Sequence, residues 1–229
     1  MIRSVGLVVP AHNEESHIRG CVLALRRAAR RLPGNIAVHL ITVADSCTDA
    51  TASEAMAAGA ATVAIQARNV GAARAAGMAE VLRRTGHLNP AQVWLATTDA
   101  DTVVPSYWLR RQVQYADRGW DVVLGTVTVT DWAGQPPHLQ ARFTAHYAHG
   151  TGPHPHVHGA NLGVRASAYQ AAGGFKALNT AEDHDLLSAL SAAGSKVLRA
   201  DNICVDTSAR RQARAPDGFS HLLGTLAGN

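Results

Sequence analysis

Residues 93–101 read VWLATTDAD. The run 93–98 is apolar and β-branched, strand-sized rather than helix-sized, and it closes on two carboxylates, Asp99 and Asp101. Helix-period segments flank it, over 71–84 before and 107–118 after. Working outward, the alternation repeats. VGLVVP (5–10), IAVHLITV (36–43) and ATVAIQ (61–66) are further strand-sized runs. Between them Ile18, Cys21, Val22 and Leu25 recur at helical spacing, and TDATASEAMAAG forms a second helical segment closed by Gly59. Strands separated by helices imply right-handed crossovers and a mostly parallel sheet. The expected fold is a Rossmann-like α/β/α sandwich.

After about residue 120 the rhythm loosens. VVLGTVTV (122–129) reads as a strand and HLQARFTAHYA (138–148) as a helix. GTGPHPHVHGA (150–160) has no period and reads as a surface loop. NLGVR, a short helix at SAYQAA, a helix over 182–193 and a strand at VLRAD (197–201) follow, then a polar, basic tail at 208–219. No internal repeat or linker-like stretch interrupts the chain, so one domain over 1–229 is expected.

The chain has 229 residues, 47% of them hydrophobic, which excludes disorder and permits a sizeable core. No apolar run approaches the ~18 residues of a membrane span. The start MIRSVGLVVPAHNEE enters a strand pattern directly, so no signal peptide is expected. The formal net charge is +4 and the basic residues are almost all Arg, with Lys176 and Lys196 the lysines. No basic block with interleaved aromatics suggests a nucleic-acid partner. Cys21, Cys47 and Cys204 form neither a disulfide framework nor a CxxC site, which suits a reducing, cytoplasmic location.

In such a sheet, ligands bind beyond the carboxyl ends of the strands. Three of those ends carry concentrated polar chemistry: PAHNEE, ADSCTD and TTDAD. GxGxxG after the first strand and GxxxxGK[ST] are missing, which disfavours dinucleotide dehydrogenases and P-loop enzymes; GxSxG and HExxH are missing too. Asp99 and Asp101 at a strand end can share one hard divalent cation and its ligated phosphates. Standing alone, such a pair is more often a solvated turn.

Its context is more specific. VVPAHNEE, VADSCTDAT, RNVGAARAAG, TTDAD, HGANLGVR, GGF and AEDHDLL follow in that order over roughly residues 5–190. The ordered set resembles the family 2 glycosyltransferases of the GT-A fold. That resemblance implies transfer of a sugar from a nucleotide diphosphate sugar to an acceptor, with Mn²⁺ or Mg²⁺. It implies a nucleotide-sugar-binding half over 1–101 and an acceptor-binding and catalytic half over 102–229. Pro10, Ala11, Asn13 and Glu14 match the first-strand loop that holds the nucleoside, and Asp45 the carboxylate that pairs with the base. Asn69 and Arg74 match the loop and helix start near the nucleotide. Asp99 and Asp101 match the DxD, with Asp101 the direct metal ligand. Glu182-Asp183 matches the ED pair, whose Asp183 is the catalytic base of inverting members. HGANLGVR matches the acceptor-side segment, with Gly159 and Asn161 beside the donor sugar.

Elementary chemistry agrees with these roles. A carboxylate can accept the imide N–H of uracil, which favours a uridine diphosphate donor, although guanine also carries an imino N–H. Ala44 stands where many relatives have a second acidic residue, leaving Asp45 alone to grip the nucleoside. Metal and arginine neutralise charge on a departing diphosphate. A carboxylate heading the 182–193 helix sits where the dipole favours negative charge, and can take a proton from an attacking hydroxyl. Arg211, with Arg210 and Arg214, could clamp the diphosphate or lie in a solvated tail. His154, His156 and His158 invite a zinc reading, but a surface loop without supporting Cys or carboxylate explains them more simply. Trp108, Trp120 and Trp132 either stack on sugars or pack in the core. Rival readings are a nucleotide-sugar binder without catalysis and a sugar-phosphate nucleotidyltransferase. The acceptor is open and includes lipid-linked molecules at a membrane surface.

Overall fold

Alternation within single strands sets the layers. In β4 (Val93–Thr97), Trp94 and Ala96 face one side of the sheet, while Val93 and Leu95 face the other. β1 (Ser4–Ala11) does the same, with Val5, Leu7, Val9 and Ala11 opposed by Val8. A strand apolar on both faces must be covered on both. On one side lie α1 (Ile18–Ala29), α2 (Thr51–Ala58) and α4 (Trp108–Asp117); on the other lie α3 (Val70–Arg84), α6 (Ala166–Ala171) and α7 (Glu182–Ala192). The computed structural model describes residues 1–147, 153–209 and 219–227.

With β2 (Ala37–Asp45), β3 (Ala61–Ile65), β5 (Thr102–Val103), β6 (Val122–Thr128), β7 (Leu162–Arg165) and β8 (Val197–Thr207), the sheet has eight strands in the order β3-β2-β1-β4-β7-β6-β8-β5. The first-half pairings β3-β2, β2-β1 and β1-β4 are parallel, as expected, and so is β6-β8. β7 runs antiparallel to both β4 and β6, and β5 antiparallel to β8. The order 3-2-1-4 brings the carboxyl ends of β1, β2 and β4 side by side, and β7 returns the chain from the second half to that edge.

β8 continues six residues beyond the expected VLRAD. Its register against β6 slips between Gly125 and Thr126, whose partners are Ala200 and Cys204, so residues 201–203 bulge from the ladder. A third, small cluster joins Val129, Phe143 and Leu223, binding α5 (Pro137–Tyr147) to α8 (Phe219–Ala227). Arg142 and His138 reach the carbonyls of Leu226 and Ala227 at the α8 C-terminus, where cations favour the dipole. Trp108 lies in the main core and Trp132 packs at a tilt against Phe143 with ring centroids 5.5 Å apart, so both pack against neighbouring side chains.

The 150–160 segment differs from expectation where it is described. His154 is fully buried, and its Nε2 lies 3.1 Å from the Leu124 carbonyl. The rings of His154, His156 and His158 stack in series, and the Tyr147 ring stacks nearly parallel on His156 at 3.9 Å. Alternate side chains on an extended segment do point one way, but they point along an aromatic stack instead of into water. Among the described residues no group of three His, Cys, Asp or Glu is placed to hold a metal ion.

Candidate active site

The loops after β1, β2 and β3 are held in unusual backbone conformations. Asn13, Ser46, Arg68 and Ala181 are the non-glycine residues with positive φ among those described; three follow strands β1, β2 and β3, and Ala181 precedes α7. Each such residue costs on the order of 1 kcal/mol or more and persists only where its surroundings fix it. Those surroundings are identifiable. Asn13 Oδ1 accepts the Thr48 N–H at 2.8 Å, tying the β1 loop to the β2 loop, and Thr51 Oγ1 accepts the Glu14 N–H at 2.7 Å. Pro10 and Ala11 are buried in the β1-β2 ladder beneath them.

Asp45 does more of this work than its expected role allows. Its Oδ1 accepts the N–H groups of Ala67 and Arg68 and the Ser46 hydroxyl, and its Oδ2 accepts the Asn69 N–H at 2.7 Å. Burial alone would raise its pKa. The three backbone N–H groups and Ser46 outweigh burial and hold it below the ordinary carboxylate value. The residue is 3% exposed, and its carboxylate ties the end of β2 to the β3-α3 loop. A depressed folded pKa contributes stability that is present above the unfolded pKa and is lost as pH falls through the folded one. Asp45→Asn puts amide hydrogens against those donors. It should cost about 2–3 kcal/mol and flatten the acid limb of a stability-versus-pH curve, read by denaturant titration.

From this loop the chain enters α3. Asn69 caps it by accepting the Ala72 N–H, and its Nδ2 donates to the Leu178 carbonyl at 2.8 Å. A Cβ on Gly71 would lie 2.1 Å from the Lys176 carbonyl, so only glycine lets α3 approach the segment leading to α7. One turn on, Arg74 is buried between two carboxylates. Its Nη2 donates to Asp99 Oδ1 at 2.7 Å, its Nη1 to Glu182 Oε1, and its guanidinium lies 5.7 Å from the Phe175 ring. Gly159 lies flat against that guanidinium, where any side chain would collide. Burial opposes the charge on Arg74, but Asp99, Glu182 and Asp183 together raise its pKa above the usual value. Glu182 is buried as well, and burial raises its pKa despite Arg74.

Asp183 stands one residue along α7, partly exposed. Its Oδ2 accepts the Gly159 N–H at 2.8 Å and its Oδ1 the His184 N–H. Arg74, Asp99, Gly159, Glu182 and Asp183 thus form one connected cluster, drawn from four separated stretches of sequence. Beneath it Cys21, fully buried, donates its S–H to the Asp99 carbonyl at 3.3 Å. Burial, then the charges of Asp99, Asp101 and Glu14, push its thiol pKa well up and leave Cys21 a neutral thiol. Cys21 and Phe175 carry no sequence signal as site residues, since each reads as an apolar core position. His158, whose Nε2 pairs with the Tyr147 hydroxyl, precedes Gly159; burial lowers its pKa to about 4, with Asp183 pulling the other way.

Asn161 is the second departure. It is 1% exposed. Its Nδ2 donates to the carbonyls of Thr126 and Ile203, and its Oδ1 accepts the Trp108 Nε1–H at 2.8 Å. The two carbonyls sit at the register slip between β6 and β8, Thr126 just past it and Ile203 within the bulge. The side chain expected beside the donor sugar therefore seals a sheet defect. Asn161→Leu should lose about 2–4 kcal/mol by stranding three buried polar groups, with donor affinity unchanged in calorimetry. Arg210, Arg211 and Arg214 lie outside the described residues.

A divalent cation can be tested against the donors present. Asp99 and Asp101 offer hard oxygens at the carboxyl end of β4, and the Asp99 side chain is 35% exposed with Oδ1 already on Arg74. One or two carboxylates completed by substrate phosphates is the set that Mg²⁺ and similar ions take. The residues fit such an ion.

The model of glycosyl transferase family 2 matches residues 7–173. The chain belongs to that family. Its match ends before Glu182, so the ED pair rests on the geometry above. Among solved structures it resembles Staphylococcus aureus TarS 1–349 in complex with UDP-GlcNAc (TM-score 0.64, 14% identity, 98% of this chain and 65% of that one). The mannosyltransferase PcManGT from Pyrobaculum calidifontis, in complex with GDP-Man and Mn²⁺, aligns at TM-score 0.62 and 19% identity, over 97% of this chain and 68% of that one. Glucosyl-3-phosphoglycerate synthase from Mycobacterium tuberculosis, in complex with Mn²⁺, UDP and phosphoglyceric acid, gives 0.56 and 16%, over 98% and 75%. At these identities the likeness shows the fold, which is GT-A. This family 2 chain spans 65% or less of the several TarS chains it matches. No curated protein matches it.

Proposed function

We propose that this family 2 chain transfers a sugar from a nucleotide diphosphate sugar to an acceptor hydroxyl with inversion, at the carboxyl ends of β1, β2 and β4. The observation that carries the reading is the Arg74 bridge. One buried guanidinium joins Asp99 of the DxD to Glu182 beside Asp183, so the donor end and the base end of the reaction share one rigid element. Asp99 and Asp101 would hold Mn²⁺ or Mg²⁺, which when bound neutralises charge on the departing diphosphate. Asp183, fixed through the Gly159 N–H, takes the proton from the acceptor hydroxyl as its oxygen attacks the anomeric carbon. Glu182 and Gly159 position Arg74 and Asp183. Asn13, Glu14 and Asp45 shape the nucleoside loop.

With Asp45 engaged by backbone, base selection passes to other groups of that loop. Uridine stays the first choice and guanosine the second; TarS and PcManGT, which share the fold, are solved with UDP-GlcNAc and GDP-Man respectively. Incubating the protein with a panel of nucleotide sugars and Mn²⁺, and following nucleoside diphosphate release, tests the proposal. Release from one sugar nucleotide, abolished by chelator, supports it; release from none, with acceptor mixtures included, contradicts it.

A further inference from the structure

The helical layer formed by α1, α2 and α4 has an outer surface unlike the rest of the molecule. α1 sends Ile18, Cys21, Val22 and Leu25 into the core and turns Leu23 and Arg27 outward, with Arg30 exposed at its C-cap. α1 and the two residues after it carry five arginines and no carboxylate; α4 and the residue after it carry three arginines and Asp117. The carboxylates on these three helices are Glu54 and Asp117. Glu54 lies 3.7 Å from Arg19, and Asp117 holds the Ile2 N–H and the terminal amino group. Eight arginines against two carboxylates, in a chain of net charge +4, leave the remainder of the chain net negative. Arg27, Arg30, Arg31 and Arg110 are exposed and make no ion pair among the described residues.

The same surface collects the exposed apolar side chains. Among the described residues the large ones are Met1, Leu23, Met56, Val103 and Tyr107. Leu23 is on α1 and Met56 on the neighbouring α2; Val103 is on β5, which packs against α1, and Tyr107 caps α4. Met1 sits against Asp117 of α4. None lies over α3, α6 or α7. Cationic side chains interleaved with apolar ones on a broad helical layer match the chemistry of an anionic bilayer surface. A single-stranded nucleic acid would ask for aromatic faces to stack on, and Tyr107 already has the Arg111 guanidinium 4.2 Å over its ring.

We propose that the α1-α2-α4 face docks the protein on anionic phospholipid membrane surfaces.

Co-sedimentation tests this with vesicles of phosphatidylcholine alone and of equal parts phosphatidylcholine and phosphatidylglycerol, at low and high salt. The protein should pellet with the anionic vesicles only, and leave them at high salt. Arg27→Glu/Arg30→Glu/Arg110→Glu should weaken partitioning by about tenfold or more, since each basic residue near the surface contributes separately. Reversing an equal number of charges elsewhere, at Arg83, Arg84 and Lys196, should leave most of the binding. Leu23→Ser/Met56→Ser, which keeps every charge, should weaken it measurably, and reads the face independently if the triple variant fails to fold. Failure of the parent to bind anionic vesicles, binding indifferent to lipid charge, equal loss in both charge-reversal variants, or a Ser variant that binds like the parent overturns the proposal. None of these readouts depends on sugar transfer.

Discussion

Asp183→Asn should fold, bind donor with near-parent affinity and lose about 10²–10⁴-fold in single-turnover transfer, the usual contribution of a general base. The geometry makes this variant clean. An Asn Oδ1 can still accept the Gly159 N–H that Asp183 now accepts at 2.8 Å, so the contact between α7 and the Gly159 turn survives, and only the N–H of exposed His184 loses its acceptor. What disappears is the proton acceptor. If Asp183 served only to cap α7 and complement its dipole, the same substitution would cost on the order of 1 kcal/mol or less and leave turnover near normal. Melting temperature and single-turnover rate on one variant separate the two. Transfer within about threefold of the parent, far short of a general-base effect, would remove the base from the inverting mechanism and favour retention.

Arg74→Ala should be the most damaging substitution for stability. Arg74 and Glu182 are both buried, and Asp99 is the guanidinium's second partner. Removing one member of a buried pair leaves an uncompensated charge, at about 3–5 kcal/mol. For a chain of this size that lowers Tm by roughly 6–20 °C. Arg74→Lys keeps the charge but presents one ammonium where the guanidinium forks to two carboxylates. It should melt between parent and Arg74→Ala, and bind donor more weakly because Asp99 is no longer held. A Lys variant that melts and binds like the parent would show the fork to be dispensable. Thermal denaturation with calorimetric donor titration reads both.

Much of the first half was legible in the sequence because strand-sized apolar runs and helical segments alternate along it. The run 93–98 is apolar without a break, as suits a strand covered on both faces, and the parallel direction of the first-half strands followed from the helices between such runs. β7 was not legible in direction, since four residues between a loop and a short helix carry no signal of which way they run. β8 was cut short because Asp201 and Asn202 are polar and interrupt the apolar run; the strand resumes at Cys204 beyond a bulge no local pattern announces. β5, two residues long, is below what periodicity can detect.

In the site, residue types at strand ends were readable, and their partners were not. Asp45 and Asn161 both looked like ligand-facing groups. One clamps backbone N–H groups of a loop over 20 positions away, and the other donates to carbonyls at the bulge. Backbone donors and acceptors are the same at every position, so sequence says nothing of where they converge. Arg74 was placed near the nucleotide, but its bridge from Asp99 to Glu182 needs a fold that brings α3, β4 and α7 together. The histidines misled in the other direction, since their stacking depends on Tyr147 lying alongside.

The proposed transfer requires a donor site at the carboxyl ends of β1, β2 and β4 that needs a divalent cation on Asp99 and Asp101. Thermal stabilisation by uridine and guanosine diphosphates, each with and without Mn²⁺, tests it most directly, because a ligand confined to the native state raises stability by RT ln(1 + [L]/Kd). One nucleoside diphosphate with Mn²⁺ should raise Tm well beyond the sum of either alone, and Asp101→Asn should abolish that excess while melting like the parent. A Tm shift that is identical without metal, or fully retained in Asp101→Asn, would contradict the account.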